Sequence, residues 1–445
     1  MTILEQPHPI PVAREVDLCV LGGSCTGVFA AVRAARLGAT VALVERQNCF
    51  GGTATAGLVN IWHRLTGIDR KEQVIAGLTE EVLHRLSQVG ALDTDDREEQ
   101  NVYRFNSEEL KIELDRLVTE NKIIPFLHTF YCAPHLVDGV LKAVFVENKS
   151  GRQAIAARFF IDATGDGDLA AHLGIGQYTY PTVQPPTPCF KIAGDLEGIP
   201  VQALLQEHGA EFGLREDWGW STYIPGMPGV SFRADTHVFD LDCADGDGLT
   251  AAEMEGRRQM LAVMDTLRRH HPKGPALGLA ATCSSLGIRE TRHFESAFQI
   301  KSDDLLYGRA FDDAIAHGTY PVDIHHSDRP GVTLRYLDGR ELRHFNRTKP
   351  SETGRWRQDN GWAAYYSLPY RALLQPAHGN FLAVGRMVNA ELAAYGAVRV
   401  MVNLNQLGEA AGVAAWLALH HGTPAAQVDP AELRRVLNEG GSALH

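Results

Sequence analysis

Residues 16–45 read VDLCVLGGSCTGVFAAVRAARLGATVALVE, and this stretch decides the predicted fold. An apolar run, a glycine turn, a run of good helix formers that ends at Gly38, and a second apolar run follow one another. This order is typical of a strand–helix–strand unit. The first strand is apolar on both faces apart from Asp17, as in a parallel sheet covered by helices. The stretch therefore predicts a doubly wound α/β domain.

The glycine turn has the pattern of a dinucleotide-binding loop. GGSCTG, at 22–27, keeps the first and last glycines of that pattern, and Ser24 stands where the middle glycine is usual. Glu45 ends the second strand, where an acid can hold ribose hydroxyls. Glycines let the backbone approach a pyrophosphate at the helix N-terminus, whereas the alternative is an ordinary strand–turn–helix. The predicted dinucleotide contacts here are Gly22, Gly23, Ser24, Thr26, Gly27 and Glu45.

A second glycine-rich loop, GGTATAG at 51–57, follows soon after Arg46, and on its own it could be a flexible connection. Three further segments follow it along the chain: IDATGDGD at 161–168, GIRETR at 287–292 and VGRMVNA at 384–390. With these five segments in order, the sequence resembles the FAD-dependent oxidoreductases of the two-dinucleotide-fold flavoprotein superfamily, which have a glutathione-reductase-like FAD domain. The resemblance extends from about Val16 to Leu419.

The resemblance implies FAD as the cofactor. It places the second glycine loop near the flavin, the 163–165 segment under the adenosine half, and Asp166 with the Gly385 loop near the pyrophosphate and ribityl chain. The superfamily often has Asp after the glycine of the last segment, whereas this sequence has Arg386. The further contacts that the resemblance implies are Arg46, Gly51, Gly52, Thr53, Thr55, Tyr131 (for adenine), Ala163, Thr164, Gly165, Asp166, Gly385 and Arg386.

The pattern of helix, strand and turn signals along the chain, together with the resemblance, predicts an α/β protein. In it, a Rossmann-like FAD-binding domain carries an inserted mixed α+β substrate domain. Residues 14–175 form the first part of the FAD-binding domain, with a polar helical insertion at 61–100 that ends in the charge-dense LDTDDREEQ. Proline and glycine punctuate residues 176–362, the predicted substrate domain. Residues 363–425 return to the FAD-binding domain, and 426–445 form a C-terminal tail helix.

Composition and charge exclude several classes of function. The formal net charge of −12, without a basic tract, disfavours a nucleic-acid partner. No run of 18 apolar residues predicts a membrane span, and the N-terminus lacks a signal-peptide pattern. The seven cysteines form no C-x-x-C pair and no metal-binding spacing. We therefore expect a cytoplasmic protein without a metal centre; its oligomeric state is left open.

The segment YPVDIHH, at 320–326, contains the main catalytic candidate. On an extended strand, Asp323 and His325 emerge on the same face, and His326 points the other way. Histidine titrates near neutral pH and can act as a base, and a carboxylate beside it can fix its tautomer and raise its basicity. The alternative is a surface turn with solvated histidines. The family resemblance favours a functional His325.

Three other residues are candidates for the chemistry. Arg399 is flanked by apolar residues, and a buried arginine needs a partner, either a protein carboxylate or an electron-rich edge of flavin or substrate. Arg289 stands in a triplet with Glu290 and Arg292 that could equally be a structural ion-pair cluster. His63 follows the second glycine loop closely enough to lie near the flavin ring.

Two classes of function fit these features. One is an enzyme in which a small organic substrate loses a hydride to flavin N5 while a base removes a proton, or the reverse. The other is a flavin-bearing electron-transfer subunit of a larger complex, which iron–sulfur ligands would have supported. A flavin monooxygenase and a pyridine-nucleotide-dependent reductase stay open within the enzyme class. The arginines of the middle region would suit an acidic substrate, although such arginines are usually solvated.

Overall fold

The computed structural model describes residues 2–95, 102–359 and 361–445. The strands within them are β1 Val12–Leu21, β2 Val41–Val44, β3 Ile61–Trp62, β4 Leu92–Asp95, β5 Val102–Phe105, β6 Ile124–Phe126, β7 Phe130–Val137, β8 Val140–Asn148, β9 Gly151–Asp162, β10 Gln177–Tyr178, β11 Phe190–Ala193, β12 Trp220–Tyr223, β13 Val230–Ala234, β14 Gly278–Thr282, β15 His293–Phe294, β16 Ala314–Gly318, β17 Val322–His325, β18 Val332–Arg335, β19 Arg340–His344, β20 Glu352–Arg355, β21 Tyr366–Pro369 and β22 Phe381–Ala383. The α-helices are α1 Cys25–Arg36, α2 Leu78–Gln88, α3 Ser107–Glu120, α4 Asp168–His172, α5 Val201–His208, α6 Gly246–His270, α7 Ser302–Leu306, α8 Leu392–Val398, α9 Met401–His421 and α10 Pro430–Glu439.

The central sheet has the strand order of a Rossmann-like domain. Its parallel strands run β6-β2-β1-β9-β22, and β8 and β7 add an antiparallel edge. The long strand β9 serves both parts, because its first half pairs with β8 and its last three residues pair with β22. The predicted α/β class with a Rossmann-like core is confirmed. The carboxyl ends of β1, β2, β9 and β22 meet at one edge, where such folds bind ligands.

Helices α1 and α9 pack closely through glycine. A Cβ added to Gly408 would lie 2.2 Å from the carbonyl oxygen of Thr26, and one added to Gly412 would lie 2.1 Å from that of Ala30. Both pairs are spaced four residues apart, so the two glycines form one groove for the backbone of α1. This close approach explains why a buried helix tolerates two glycines despite their low helix propensity.

We expect Gly408→Ala to destabilise the protein and to weaken retention of the FAD that the sequence resemblance implies. The added methyl group must push α1 away from α9, an overpacking effect of about 1–3 kcal/mol or more. The added methyl group contacts Thr26, in the first turn of α1, and Thr26 lines a cavity at the carboxyl edge of the sheet. A shift of α1 therefore changes the shape of that cavity. Gly246→Ala, at the start of α6, is the matched control because its added Cβ meets nothing within 4 Å. Equal melting temperatures of the two variants would contradict the packing argument.

Antiparallel sheets dominate the described residues of 176–362. One sheet has the order β12-β13-β11-β14, another has the order β17-β18-β19-β20, and β16 pairs with β21. Because β21 belongs to the predicted return segment, the two segments share this small sheet. The 25-residue helix α6 was not anticipated. Its signals are the Asp245 cap, which accepts from the N–H of Gly248 at 2.9 Å, and buried residues every three or four positions.

The predicted helical insertion at 61–100 is only partly helical. It contains α2, and the strands β3 and β4 form a three-stranded sheet with β5. The end of the charge-dense LDTDDREEQ lies outside the described residues. Helix α10 falls within the predicted C-terminal tail helix. Among the described helices, none has the length and apolar character required to cross a membrane.

Candidate active site

A cavity of about 450 Å³ opens at the carboxyl edge of the central sheet. One end is formed by the loops that follow β1, β2, β9 and β22, and the other by β17 and the start of α9. The predicted residues that line it are Gly22, Ser24, Thr26, Glu45, Arg46, Gly51, Gly52, Thr53, His63, Ala163, Thr164, Gly165, Arg289, His325, Gly385, Arg386 and Arg399. The structure thus brings residues predicted to bind the cofactor and residues predicted to be catalytic to one cavity.

The first glycine loop fits a pyrophosphate. Gly22 has a φ of +95°, and a Cβ on it would lie 2.2 Å from the carbonyl oxygen of Ala163. A Cβ on Gly27 would lie 1.8 Å from the carbonyl oxygen of Gly22. Helix α1 begins there without a side-chain cap, and its first N–H groups have no acceptor within the helix. The positive end of a 12-residue helix therefore faces the cavity, as anion binding requires.

Glu45 is buried and lines the cavity, and its carboxylate also accepts hydrogen bonds from the backbone of the first glycine loop and of its own turn. Its Oε2 accepts from the N–H of Gly23 at 2.7 Å, and its Oε1 accepts from the N–H of Gln47 at 2.7 Å. A carboxylate has about four acceptor positions, so two remain for the hydroxyls of a ribose. Gly23 itself lies behind the loop and does not line the cavity.

We expect Glu45→Ala to weaken cofactor binding by about 1–3 kcal/mol, the scale of hydrogen bonds to a charged group. The variant loses the acceptors for ribose and leaves the N–H of Gly23 without its partner. Titration of the apoprotein with FAD, followed by flavin fluorescence, measures the effect. Glu80→Ala on the exposed side of α2 is the control. Unchanged FAD affinity of the Glu45 variant would remove this residue from the site.

The second glycine loop is tied to the first. The N–H of Gly51 donates to the carbonyl of Gly23 at 2.8 Å, and Gly51 and Gly52 both have positive φ values, of +108° and +53°. Thr53 lines the cavity. Thr55 does not: its buried hydroxyl donates to the carbonyl of Phe50 at 2.6 Å and thereby holds the turn. The two loops consequently form a single wall.

Asp166 holds two arginines rather than lining the cavity. It forms an ion pair with Arg386 and lies 4.0 Å from Arg46, and Thr291 donates to it at 2.8 Å. Burial raises the pKa of Asp166, but Arg386 and Arg46 lower it by more, so the carboxyl stays ionised. Two guanidinium groups with one carboxylate leave this wall positive beside the N-terminus of α1. That charge suits a pyrophosphate.

The structure does not bring Tyr131 to the cavity. It lies on β7, the antiparallel edge strand that β8 separates from β9, and its hydroxyl contacts Nδ1 of His172 at 3.0 Å. Tyr131 does not line this cavity, and the adenine contact that the resemblance implies stays a prediction.

At the other end of the cavity, Asp323 is the centre of a buried polar cluster. Its Oδ2 accepts from the hydroxyl of Tyr320 at 2.9 Å and from Nη2 of Arg399 at 3.1 Å. Its Oδ1 lies 3.5 Å from Nε2 of His325. Burial raises the pKa of Asp323, but nearby positive charges, those of Arg399 and Arg289 among them, lower it below its ordinary value. Asp323 is therefore the anion of this end.

Two buried residues that the sequence analysis missed complete the cluster. Nε2 of His237 lies 3.1 Å from Nδ1 of His325, and Nδ1 of His237 lies 3.0 Å from Oδ1 of Asp217. The other carboxylate oxygen accepts from the backbone N–H of His237 at 2.7 Å. These residues are 20 and 88 positions apart along the chain, so no local spacing could have revealed them.

Asp217 determines which nitrogens carry protons. A carboxylate only accepts hydrogen bonds, so Nδ1 of His237 must donate to it. With its proton on Nδ1, His237 presents Nε2 as an acceptor, and in this tautomer Nδ1–H of His325 donates to it. In this tautomer the lone pair of His325 is on Nε2, 3.5 Å from Oδ1 of Asp323.

The basicity expected for His325 is corrected by the structure. Burial lowers its pKa well below 6.5, Arg289 lowers it further, and the opposing effect of Asp323 is smaller. Burial likewise lowers the pKa of His63 to about 4. Both imidazoles are therefore neutral at physiological pH. The ring of His63 packs against that of Tyr320, with centroids 4.2 Å apart.

The Arg289–Glu290–Arg292 triplet is not an ion-pair cluster. Arg292 contacts Asp168 at 3.0 Å, and Glu290 contacts His293 at 2.9 Å, whereas Arg289 reaches the cavity. Of the two partners considered for Arg399, the structure provides a carboxylate, Asp323, that itself lines the cavity. Nε of Arg399 is buried and has no protein partner within the described residues.

Comparisons with known proteins identify the family. The family model described as FAD dependent oxidoreductase matches residues 17–437. A search of curated protein sequences gave no match.

Among solved structures, the chain is similar to a geranylgeranyl bacteriochlorophyll reductase-like protein from Thermoplasma acidophilum, with 10% identity, 96% of this chain and 84% of that chain covered, and a TM-score of 0.45. It is also similar to the p-nitrophenol 4-monooxygenase PnpA from Pseudomonas putida DLL-E4, with 10% identity, coverage of 96% and 84%, and a TM-score of 0.43. The family match covers most of the chain and the glycine loops fit the cofactor: the chain belongs to the FAD dependent oxidoreductase family, and its cofactor is FAD.

Proposed function

We propose that this FAD-dependent oxidoreductase oxidises a small organic substrate at a C–OH, C–N or C–C bond, with His325 as the base. Bound FAD supplies the two-electron chemistry, in which N5 exchanges a hydride with the substrate. The substrate loses the hydride from carbon and a proton to Nε2 of His325. The reverse reaction uses the same groups with His325 as the acid.

The observation that carries this proposal is the relay of Asp217, His237 and His325. A base requires a lone pair that the substrate can reach. When Nδ1 of His325 carries the proton and donates a hydrogen bond to His237, Nε2 is left with the lone pair. His325 lines the cavity, and in this tautomer its Nε2 carries the lone pair. The same hydrogen bonds hold the His325 ring in one orientation, and burial of both imidazoles restricts their motion further.

Asp323 has a separate role. When His325 accepts a proton, it becomes a cation, and the carboxylate 3.5 Å away stabilises that charge. Arg399 and Tyr320 orient this carboxylate. The buried cluster is thus arranged for a neutral base that becomes charged only as the substrate reacts.

Anaerobic reduction of the holoprotein tests the proposal. Purified protein with FAD bound is mixed with small alcohols, amines and their carboxylic acid derivatives, and the flavin absorbance band is followed. Bleaching by one of these compounds identifies it as a reductant. If dithionite bleaches the flavin and none of the compounds does, while a reduced protein partner does, an electron-transfer role replaces the enzyme.

The pH dependence of flavin reduction provides a second check. A base works only when deprotonated, and a pKa well below 6.5 keeps His325 deprotonated as the pH falls through 6.5. We therefore expect the rate to be level between about pH 6 and 8, with loss of activity only at lower pH. A rate that halves near pH 6.5 would show that His325 has an ordinary pKa.

A further inference from the structure

Six arginines of the middle region could bind an acidic substrate, and the structure separates one of them from the rest. Five form ion pairs with carboxylates at 2.5–3.1 Å: Arg292 with Asp168, Arg329 with Asp328, Arg335 and Arg343 with Glu341, and Arg340 with Asp338. Within the described ranges, Arg289 has no carboxylate within 4.0 Å. It is also the one of the six that lines the main cavity.

The contacts of Arg289 fix its orientation without neutralising its charge. Nη1 donates to the carbonyl of Pro185 at 2.7 Å and to the hydroxyl of Thr187, both neutral acceptors. Nε and Nη2 have no acceptor within the part of the chain that the structure describes. A planar guanidinium held by one nitrogen presents the other two as a fork, the geometry that matches a carboxylate.

The charges around Arg289 leave this end of the cavity positive. Arg289 and Arg399 are cations, and Asp323 is the single anion among the three. That carboxylate already accepts from Arg399 and Tyr320. Burial lowers the pKa of Arg289 to about 10, so the group is still charged at neutral pH. A largely buried cation without a directly paired carboxylate is unfavourable, and a ligand that supplies this carboxylate gains binding free energy.

The remaining wall is apolar and aromatic. Trp218, Trp220, Val332 and Leu334 line the same cavity, and a ligand body beside them would be desolvated. Resting on the proposed function, we propose that the substrate is a small carboxylic acid with an apolar or aromatic body, and that Arg289 binds its carboxylate while His325 faces its reacting group. The same cation would disfavour neutral analogues of the same shape.

Ligand binding to the oxidised holoprotein tests this inference without turnover. Benzoate and 3-methylbutanoate are titrated into wild-type protein at constant ionic strength, and benzamide and 3-methylbutanamide serve as neutral isosteres. The perturbation of the flavin spectrum and titration calorimetry report binding. We expect at least one carboxylate to bind at least tenfold more tightly than its amide. Arg289→Met should remove this preference, Arg289→Lys should restore part of it, and Arg343→Met should leave it intact.

Two results would overturn the inference: equal binding of acids and amides by the wild type, or an undiminished preference for acids in Arg289→Met. Absence of binding by both acids would also overturn it. The comparison of acid with amide in the wild type decides the matter even if Arg289→Met does not fold. Failure of every compound to bleach the flavin, with the acids still bound tightly, would count against the proposed function alone.

Discussion

Replacement of His325 by alanine is expected to leave FAD bound and to slow flavin reduction by about 10²- to 10⁴-fold, the usual contribution of a general base. His325 lies at the end of the cavity away from the glycine loops, so its loss spares the cofactor contacts. The proton that leaves the substrate then has no acceptor at Nε2. Rapid mixing under anaerobic conditions, with the substrate found by flavin bleaching, measures the rate of reduction directly.

Two other histidines serve as controls for this experiment. His326 lies outside the main cavity, with its Nε2 2.9 Å from the hydroxyl of Thr333, so His326→Ala should reduce flavin at a normal rate. His237→Phe removes the acceptor for Nδ1–H of His325 and should slow reduction by a smaller factor. Added to His325→Ala, it should have no further effect, because it acts through His325. Near-normal reduction by His325→Ala would transfer the role to His63.

Arg399→Met is expected to lower the free energy of unfolding by about 3–5 kcal/mol as well as the activity. The substitution leaves the Asp323 carboxylate buried without the guanidinium that it contacts at 3.1 Å. Removal of one partner from a buried ion pair leaves an uncompensated charge in a poorly solvated place. Urea denaturation of the holoprotein, with flavin fluorescence as the signal, measures the loss.

The double variant Arg399→Met with Asp323→Asn separates stability from chemistry. It removes both charges, so it should recover much of the lost stability. It should not recover activity, because the anion that stabilises protonated His325 is also gone. If Arg399→Met proves as stable as the wild type, the guanidinium is held by the flavin or substrate more than by Asp323.

Local sequence predicted the strand–turn–helix unit at one end of the cavity, whereas the remaining cofactor contacts came from the family resemblance. The strand–turn–helix pattern and Glu45 lie within 30 residues of one another, and their geometry follows from strand and helix periods alone. The same periods placed Asp323 and His325 on one face of β17. Tyr131 was assigned by analogy with related folds rather than by its own chemistry, and its strand lies at the far edge of the sheet.

The other end of the cavity depends on tertiary contacts that the sequence pattern does not reveal. His237 and Asp217 lie on separate loops that the antiparallel sheets bring next to His325, and nothing in their neighbours marks them. The pKa of His325 depends on burial and on Arg289, which is 36 residues away in the sequence. Helix α6 was obscured because three glycines fall within it or at its start, although its buried positions recur with helical spacing.

The packing of α9 on α1 also fixes the distance between the two ends of the candidate active site. Helix α9 begins at Met401, two residues after Arg399, and meets the first turn of α1 at Gly408, so these two points are separated by about 10 Å of helix at 1.5 Å per residue. Inserting or deleting one residue between these points would turn the later part of the helix by about 100° and swing Gly408 out of its groove. The interval therefore tolerates changes of residue type far better than changes of length, and its span keeps Arg399 at a constant distance from the glycine loop that follows β1.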